Sequence, residues 1–330
     1  MTQTTESKTQ EPRRRPHRRR RGASHRAADK PLPKIFFCGD PHGRFDHINW
    51  AVKTHRPDAI VILGDLQPGE DISVVLQTAL ALTQVWWIPG NHDTDTEEFY
   101  DRLWHGPIAD HNLHGKVANV AGLRIAGLGG VFRGQIWMPD DEPNYRSASS
   151  FVRRSPTMNL WRGGLPRRHR SSIFPSVYEG LCKQHADVLV THEAAGCHKK
   201  GFEAIDHLAK RMHVNWVFHG HQHEDRTYGP YKGLKVRAVG YRGIVDLQGN
   251  TIVEAEIDPR DLFVMQQAGE EPPPEILDSI PMNPLPVSHP KQRSGRPRRS
   301  RFALAREADK KARPQPSGAP SLSAVSEKKH

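Results

Sequence analysis

Residues 34–43 read KIFFCGDPHG, an apolar run that stops abruptly on Gly39-Asp40. The same texture returns twice, in DAIVILGD at residues 58–65 and in QVWWIPGNHD at residues 84–93. Short apolar runs closed by glycine or proline predict buried strands. Between the first two, residues 46–55 (DHINWAVKTH) place Ile48, Ala51 and Val52 at helical spacing. Residues 72–82 and 96–105 also predict helices. Strand alternating with helix predicts parallel βαβ units.

Working outward, residues 116–120 and 123–128 predict two strands around Ala121-Gly122, a hairpin turn. Residues 139–175 are long, polar and Arg-rich, and no element is assigned there. Residues 176–185 and 202–212 predict helices, and residues 186–191, 215–220, 234–240, 243–247 and 251–257 predict strands. The expectation is one α/β domain over residues 34–262, its helices outside two stacked sheets.

The ends have a different composition. The 330-residue chain carries a formal net charge of +11. Residues 1–33 contribute +7 and residues 286–330 contribute +9, which leaves −5 for the segment between. Residues 1–33 and 263–330 are polar, basic and Pro-containing, too poor in apolar groups to offset their ordering entropy, and are expected to be disordered. Such tails attract polyanions, so nucleic acid is a candidate partner, although no nucleic-acid-binding motif is present. Three cysteines (Cys38, Cys182, Cys197) make no disulfide framework and suit a reducing cytoplasm. No apolar run approaches the length of a membrane span, and no apolar segment follows the N-terminal arginines as a secretory leader requires. Oligomeric state is not legible.

Five predicted strand ends carry groups able to bind metal or move protons: Asp40-Pro41-His42, Asp65, Asn91-His92-Asp93, His192-Glu193 and His221-Gln222-His223. Sites in open α/β sheets form outside the carboxyl ends of strands, where groups distant in sequence converge. Mixed carboxylate, amide and imidazole donors suit Mn, Fe, Co, Ni or Zn. Two ions about 3.5–4 Å apart need a bridging carboxylate, and Asp65, isolated after Gly64, fits. Glycines 39, 64, 90 and 220 are expected to turn the backbone sharply beside these groups. A lone Asp-x-His or Gly-Asp is usually an ordinary loop; the case rests on all five together, in this order.

That series, GDPHG, GD, GNHD, THE and GHQH, resembles the calcineurin-like metallophosphoesterase superfamily across residues 34–262. The resemblance implies a four-layer αββα sandwich of two mixed β-sheets flanked by helices, with two divalent metal ions, manganese foremost. Asp40, His42 and His223 would bind one ion, and Asn91, His192 and His221 the other, with Asp65 between them. It further implies hydrolysis of a phosphomono- or phosphodiester by a hydroxide held between the ions. His92 would be the general acid near the departing oxygen. Asp93 would orient His92 or cap the next helix. Glu193 would support the His192 region or be a solvated acid.

Substrate class is less determined. Protein Ser/Thr phosphatases of the superfamily carry GDxxDRG, whereas this chain has Gly64-Asp65-Leu66-Gln67-Pro68-Gly69 and lacks that arginine. Residues 146–170 hold seven arginines and no acid, interleaved with Phe151 and Trp161, which could meet phosphate and bases or form a solvated basic loop. Arg44, Arg133 and His198 are candidate substrate contacts. The balance tilts to a nucleotide or nucleic-acid substrate. The alternatives are a protein Ser/Thr-type phosphatase, or a catalytically silent scaffold that binds RNA or protein.

Overall fold

The computed structural model describes residues 31–260 and 262. Both expected disordered tails, apart from positions 31–33, lie outside the described residues. The strands are β1 (Ile35–Cys38), β2 (Ala59–Ile62), β3 (Gln84–Trp87), β4 (Val117–Val120), β5 (Leu123–Leu128), β6 (Val188–Thr191), β7 (Trp216–His219), β8 (Arg226–Tyr231), β9 (Leu234–Ala238), β10 (Ile244–Asp246) and β11 (Thr251–Val253). The helices are α1 (Asp46–His55), α2 (Ile72–Val75), α3 (Gln77–Leu82), α4 (Glu97–Trp104), α5 (Ala148–Arg154), α6 (Pro175–Leu181) and α7 (Glu203–Arg211).

The strands form two mixed sheets, in the orders β11-β10-β1-β2-β3 and β4-β5-β6-β7-β9-β8. Strands β1, β2 and β3 run parallel, as do β5, β6, β7 and β9. Side-chain alternation divides the interior into three cores. Ile35, Phe37, Ala59, Val61, Val188, Val190 and Phe218 meet between the sheets. Phe36, Cys38, Ile60 and Ile62 face the other way, onto Ile48, Ala51 and Val52 of α1. Leu189, Val217 and Val236 pack on Leu208 and Ala209 of α7. This is the expected αββα sandwich. Burial on both faces explains why the parallel strands read as continuous apolar runs rather than alternating ones. Phe37 and Phe218 stack across the two sheets with ring centroids 3.8 Å apart. Burying a side chain of that size stabilises the fold by about 1.5–3 kcal/mol.

Three segments depart from expectation. The helix over residues 72–82 breaks at Leu76 into α2 and α3. Asn49 of α1 occupies the break: its Nδ2 donates to the Val75 carbonyl (2.8 Å), and its Oδ1 accepts from the Ala79 N–H (3.1 Å). A side chain inserted into a helical ladder is a known cause of such interruptions. Strand β8 was not expected, because its sequence RTYGPY holds Gly229 and Pro230. It lies at a sheet edge, where a missing N–H is tolerated. Within residues 139–175, α5 begins with a capping box in which Ser147 and Ser150 each accept from the other's backbone N–H.

Candidate metal centre

The parallel strands deliver the candidate residues to one rim. Asp40 and His42 follow β1, Asp65 follows β2, Asn91 to Asp93 follow β3, His192 follows β6, and His221 and His223 follow β7. Four of them turn through left-handed backbone: His42, Asp65, His221 and His223 have φ of 42°, 49°, 69° and 54°. Such conformations are uncommon outside glycine and cost of order 1–3 kcal/mol each. Loop-to-loop hydrogen bonds hold them, including His42 N–H to the Asp65 carbonyl at 2.9 Å. Of the four glycines expected to turn sharply, Gly64 alone has positive φ (108°). Gly90 serves close approach instead: a Cβ there would sit 2.1 Å from Asp65 Oδ1.

The side chains converge. Asp65 Oδ2 lies 3.5 Å from His192 Nε2 and 3.8 Å from His42 Nε2. His42 Nε2 is 3.1 Å from His223 Nε2. His192 Nε2 is 3.2 Å from Asn91 Oδ1. Asp65, His192 and His221 offer donor atoms all within 4.8 Å of one another. Asp40 sits beneath, its Oδ1 3.7 Å from His192 Nδ1 and its Oδ2 accepting the His221 N–H at 2.8 Å. A cavity of about 260 Å³ opens above, lined by Asp65, His92, His221, His223, Asp258 and Arg260.

These residues fit divalent cations on two independent grounds. The first is tautomer. His42 Nδ1 donates to Gln67 Oε1, His192 Nδ1 to the Leu63 carbonyl (2.8 Å), and His223 Nδ1 to Asp258 Oδ2 (2.9 Å). Each bond leaves the Nε2 lone pair aimed at the cluster, the arrangement that metal-binding histidines adopt. The second is an orphan. Asp40 is fully buried, and its Oδ1 has no hydrogen-bond partner. Burial pushes the Asp40 carboxyl up to about 8. An isolated buried carboxylate is costly unless a cation meets it. Burial would also raise Asp65, but His192, His42 and the His92 N–H together hold it below the usual carboxylate range. Burial works against a charge on His192, yet the Asp65 and Asp40 carboxylates outweigh it and raise His192 to about 10. Where those carboxylates attract a proton, a divalent cation would take its place.

His92 projects from the rim with its side chain one-third exposed (33%). Its Nδ1 is held by Asp95 Oδ2 at 2.6 Å, and its backbone N–H donates to Asp65 Oδ1 at 2.8 Å. Asp93, expected to orient His92 or cap the next helix, has backbone partners, while Thr96 caps α4. Asp93 is fully buried and accepts from the Gly90 N–H (2.8 Å) and the Gln67 N–H (2.9 Å), fastening two loops of the rim. Burial, then repulsion from Asp65, raises its carboxyl to about 7. Glu193 is buried rather than solvated: it accepts from the Phe132 N–H (3.1 Å), and its Oε2 stands 3.8 Å from His221 Nε2.

The proposed substrate contacts are dispersed. Arg44 is exposed and approaches Glu256 at 3.7 Å. Arg133 is committed to the Ser171 carbonyl (2.8 Å) and Ser172 Oγ (3.0 Å). His198 lines a separate cavity and lies 3.2 Å from Glu224. The Arg-rich segment is largely engaged with α4 and the loop before it. Arg162 bonds Asp101 and Glu97, Arg167 donates to the carbonyls of Thr94 and Asp95, and Arg170 reaches Tyr100. Sequence reasoning missed Asp95, Asp258 and Arg260. Asp258 is buried and grips Arg260 through both carboxylate oxygens.

The chain belongs to the calcineurin-like phosphoesterase family, whose profile matches residues 33–225. It is therefore a phosphoester hydrolase of a family that generally uses divalent metals. It is 45% identical over 227 residues to an "Uncharacterized protein" of Haemophilus influenzae, a match that covers 69% of this chain and 99% of that one. Among solved structures it is similar to a 5′-nucleotidase from Candida albicans, with 14% identity and a TM-score of 0.39 over 64% of this chain and 46% of that one. It is likewise similar to a protein serine/threonine phosphatase from Saccharomyces cerevisiae, with 16% identity and a TM-score of 0.33 over 67% and 74%. No helix among the described residues is long and apolar enough to cross a membrane.

Proposed function

We propose that the protein hydrolyses a phosphomono- or phosphodiester at a two-metal centre, with His92 as general acid. The observation that carries this reading is the position of Asp65. Its Oδ2 is shared between His42 on one side and His192 on the other, as a bridging carboxylate requires. One ion would be held by Asp40, His42 and His223, and the other by Asn91, His192 and His221. Two divalent ions, when bound, would acidify a water and neutralise charge on the phosphoryl oxygens.

The protein's own groups supply the rest. Asp95 accepts from Nδ1 of His92, so an imidazolium there would hold its second proton on Nε2 and pass it to the departing oxygen as the P–O bond breaks. Arg260, held by Asp258 at the cavity wall, meets a non-bridging phosphoryl oxygen. Asp258 positions His223 as well, so one carboxylate sets both a metal ligand and a substrate clamp. We assign the catalytic unit to residues 34–262; the 227-residue match to nearly the whole of the Haemophilus influenzae relative supports a unit of this size.

The test is turnover of bis-p-nitrophenyl phosphate and p-nitrophenyl phosphate by metal-stripped, full-length protein. Activity should return with Mn²⁺, and the faster substrate distinguishes diesterase from monoesterase. No turnover with Mn²⁺, Ni²⁺, Co²⁺ or Zn²⁺, despite measured metal binding, would overturn the reading in favour of a silent scaffold.

A further inference from the structure

A second cavity, of about 380 Å³, flanks the first. The two share one loop as their dividing wall. His221 and His223 line the metal cavity, while Gln222 and Glu224 line the second. The exposed Lys199 and Lys200, in the loop that leads away from His192, line it as well, together with Arg226 and Tyr228. Both loops are thus continuous in sequence with candidate metal ligands.

The charge in this cavity is unbalanced. Three cationic side chains, Lys199, Lys200 and Arg226, face a single carboxylate, Glu224. That carboxylate is already engaged: it accepts from Tyr228 Oη at 2.9 Å and Arg226 Nη1 at 3.4 Å, and His198 Nε2 lies 3.2 Å away. Neither lysine has a carboxylate within 4.0 Å among the described residues. The loop that presents them is fixed. The His198 N–H donates to the Ala195 carbonyl at 3.0 Å, the Gly201 N–H to the His198 carbonyl at 2.9 Å, and the Lys200 N–H to His198 Nδ1 at 3.0 Å. Two unneutralised ammonium groups on a rigid loop, beside a phosphoester-hydrolysing centre, make a phosphate subsite.

We propose that this cavity binds a second phosphate of the substrate. The natural substrate is then a compound with at least two phosphate groups, one at the metal cluster and one between Lys199 and Lys200. This rests on the metal-centred reading above and narrows its substrate class. His198 acts through the lysine loop as a positioning residue rather than touching the reacting phosphate.

The experiment compares full-length, Mn²⁺-loaded protein with its Lys199→Ala/Lys200→Ala double variant. Isothermal titration with AMP, ADP, ATP and adenosine 3′,5′-bisphosphate reads binding directly, and hydrolysis of the same compounds and of bis-p-nitrophenyl phosphate gives KM and kcat. At least one multiply phosphorylated ligand should bind the wild type about tenfold more tightly than AMP. The double variant should erase that preference, with a KM rise for this ligand at least tenfold larger than for bis-p-nitrophenyl phosphate. Equal affinities for all four ligands in the wild type, or a preference that survives in the double variant, would overturn the proposal. Absence of turnover on bis-p-nitrophenyl phosphate would instead count against the metal-centred reading, and the titration would still decide whether the phosphate subsite exists.

Discussion

His192 and His92 both border Asp65, yet they live in different surroundings. The side chain of His192 is fully enclosed, with both ring nitrogens partnered by buried groups. His92 stands one-third exposed on the rim, its ring tied to an exposed Asp95. The floor of the site is built to hold geometry, because buried polar groups leave few alternative arrangements. The rim leaves His92 the access that proton exchange with substrate and solvent would require. On the proposed reading, ligand and acid are the same residue type and differ in burial.

Breaking the floor should have the largest effect. Asp65→Asn should lower kcat on bis-p-nitrophenyl phosphate by about 10³-fold or more and reduce Mn content measured by mass spectrometry, since the change removes charge at the shared carboxylate. Normal metal content with normal rate in that variant would refute the bridging role. Breaking the rim should separate chemistry from metal: His92→Ala should cost about 10²–10⁴-fold in kcat with metal content retained. Asp95→Asn should follow it with a smaller loss, and a rate equal to wild type would remove Asp95 from the acid's support. Loosening the floor from behind, Asp258→Asn should weaken Mn²⁺ affinity by roughly 10–100-fold. If titration shows unchanged affinity, Asp258 does not set the orientation of His223.

The smallest effect concerns stability in acid. Burial lowers the pKa of His114 to about 4, below the unfolded value near 6.5, and its Nδ1 has no partner. The folded state therefore refuses a proton that the unfolded chain accepts. The stabilising contribution is complete above pH 6.5 and is lost as pH falls from there through about 4. His114→Asn should flatten that limb of a urea-denaturation series by on the order of 1 kcal/mol.

Which parts could be read from the residues follows the same division. Asp40, His42, Asp65, Asn91, His192, His221 and His223 each come just after an apolar run, so a strand end could be expected at each, and the strand order did the rest. Asp95 carries no such flag; three residues beyond His92 and just before α4, it reads as an ordinary helix-leading acid. Asp258 follows the alternating segment Glu254-Ala255-Glu256-Ile257 of an expected strand but has no neighbouring glycine or histidine to mark a site, and only the folded chain brings it to His223. The arginines of residues 146–170 were legible as charge but not as partners. Glu97 and Asp101, which neutralise Arg162, lie more than sixty residues earlier. The Leu76 break was equally hidden, because Asn49 reaches it from another helix.

The site takes Asp40, His42, Asp65 and Asn91 from one sheet and His192, His221 and His223 from the other. The Phe37–Phe218 stack closes the middle of the sheet interface, and the ligand cluster closes its rim. Cations held there would act as rivets between two layers that share no backbone ladder. Removing them would leave the carboxylates of Asp40 and Asp65, on neighbouring strands of one sheet, with no cation between them and the histidines of the other. Chelation should therefore speed amide exchange first in the loops after β1, β2, β6 and β7, while the β4–β5 hairpin stays protected, and metal occupancy should be readable as mechanical cohesion of the sandwich.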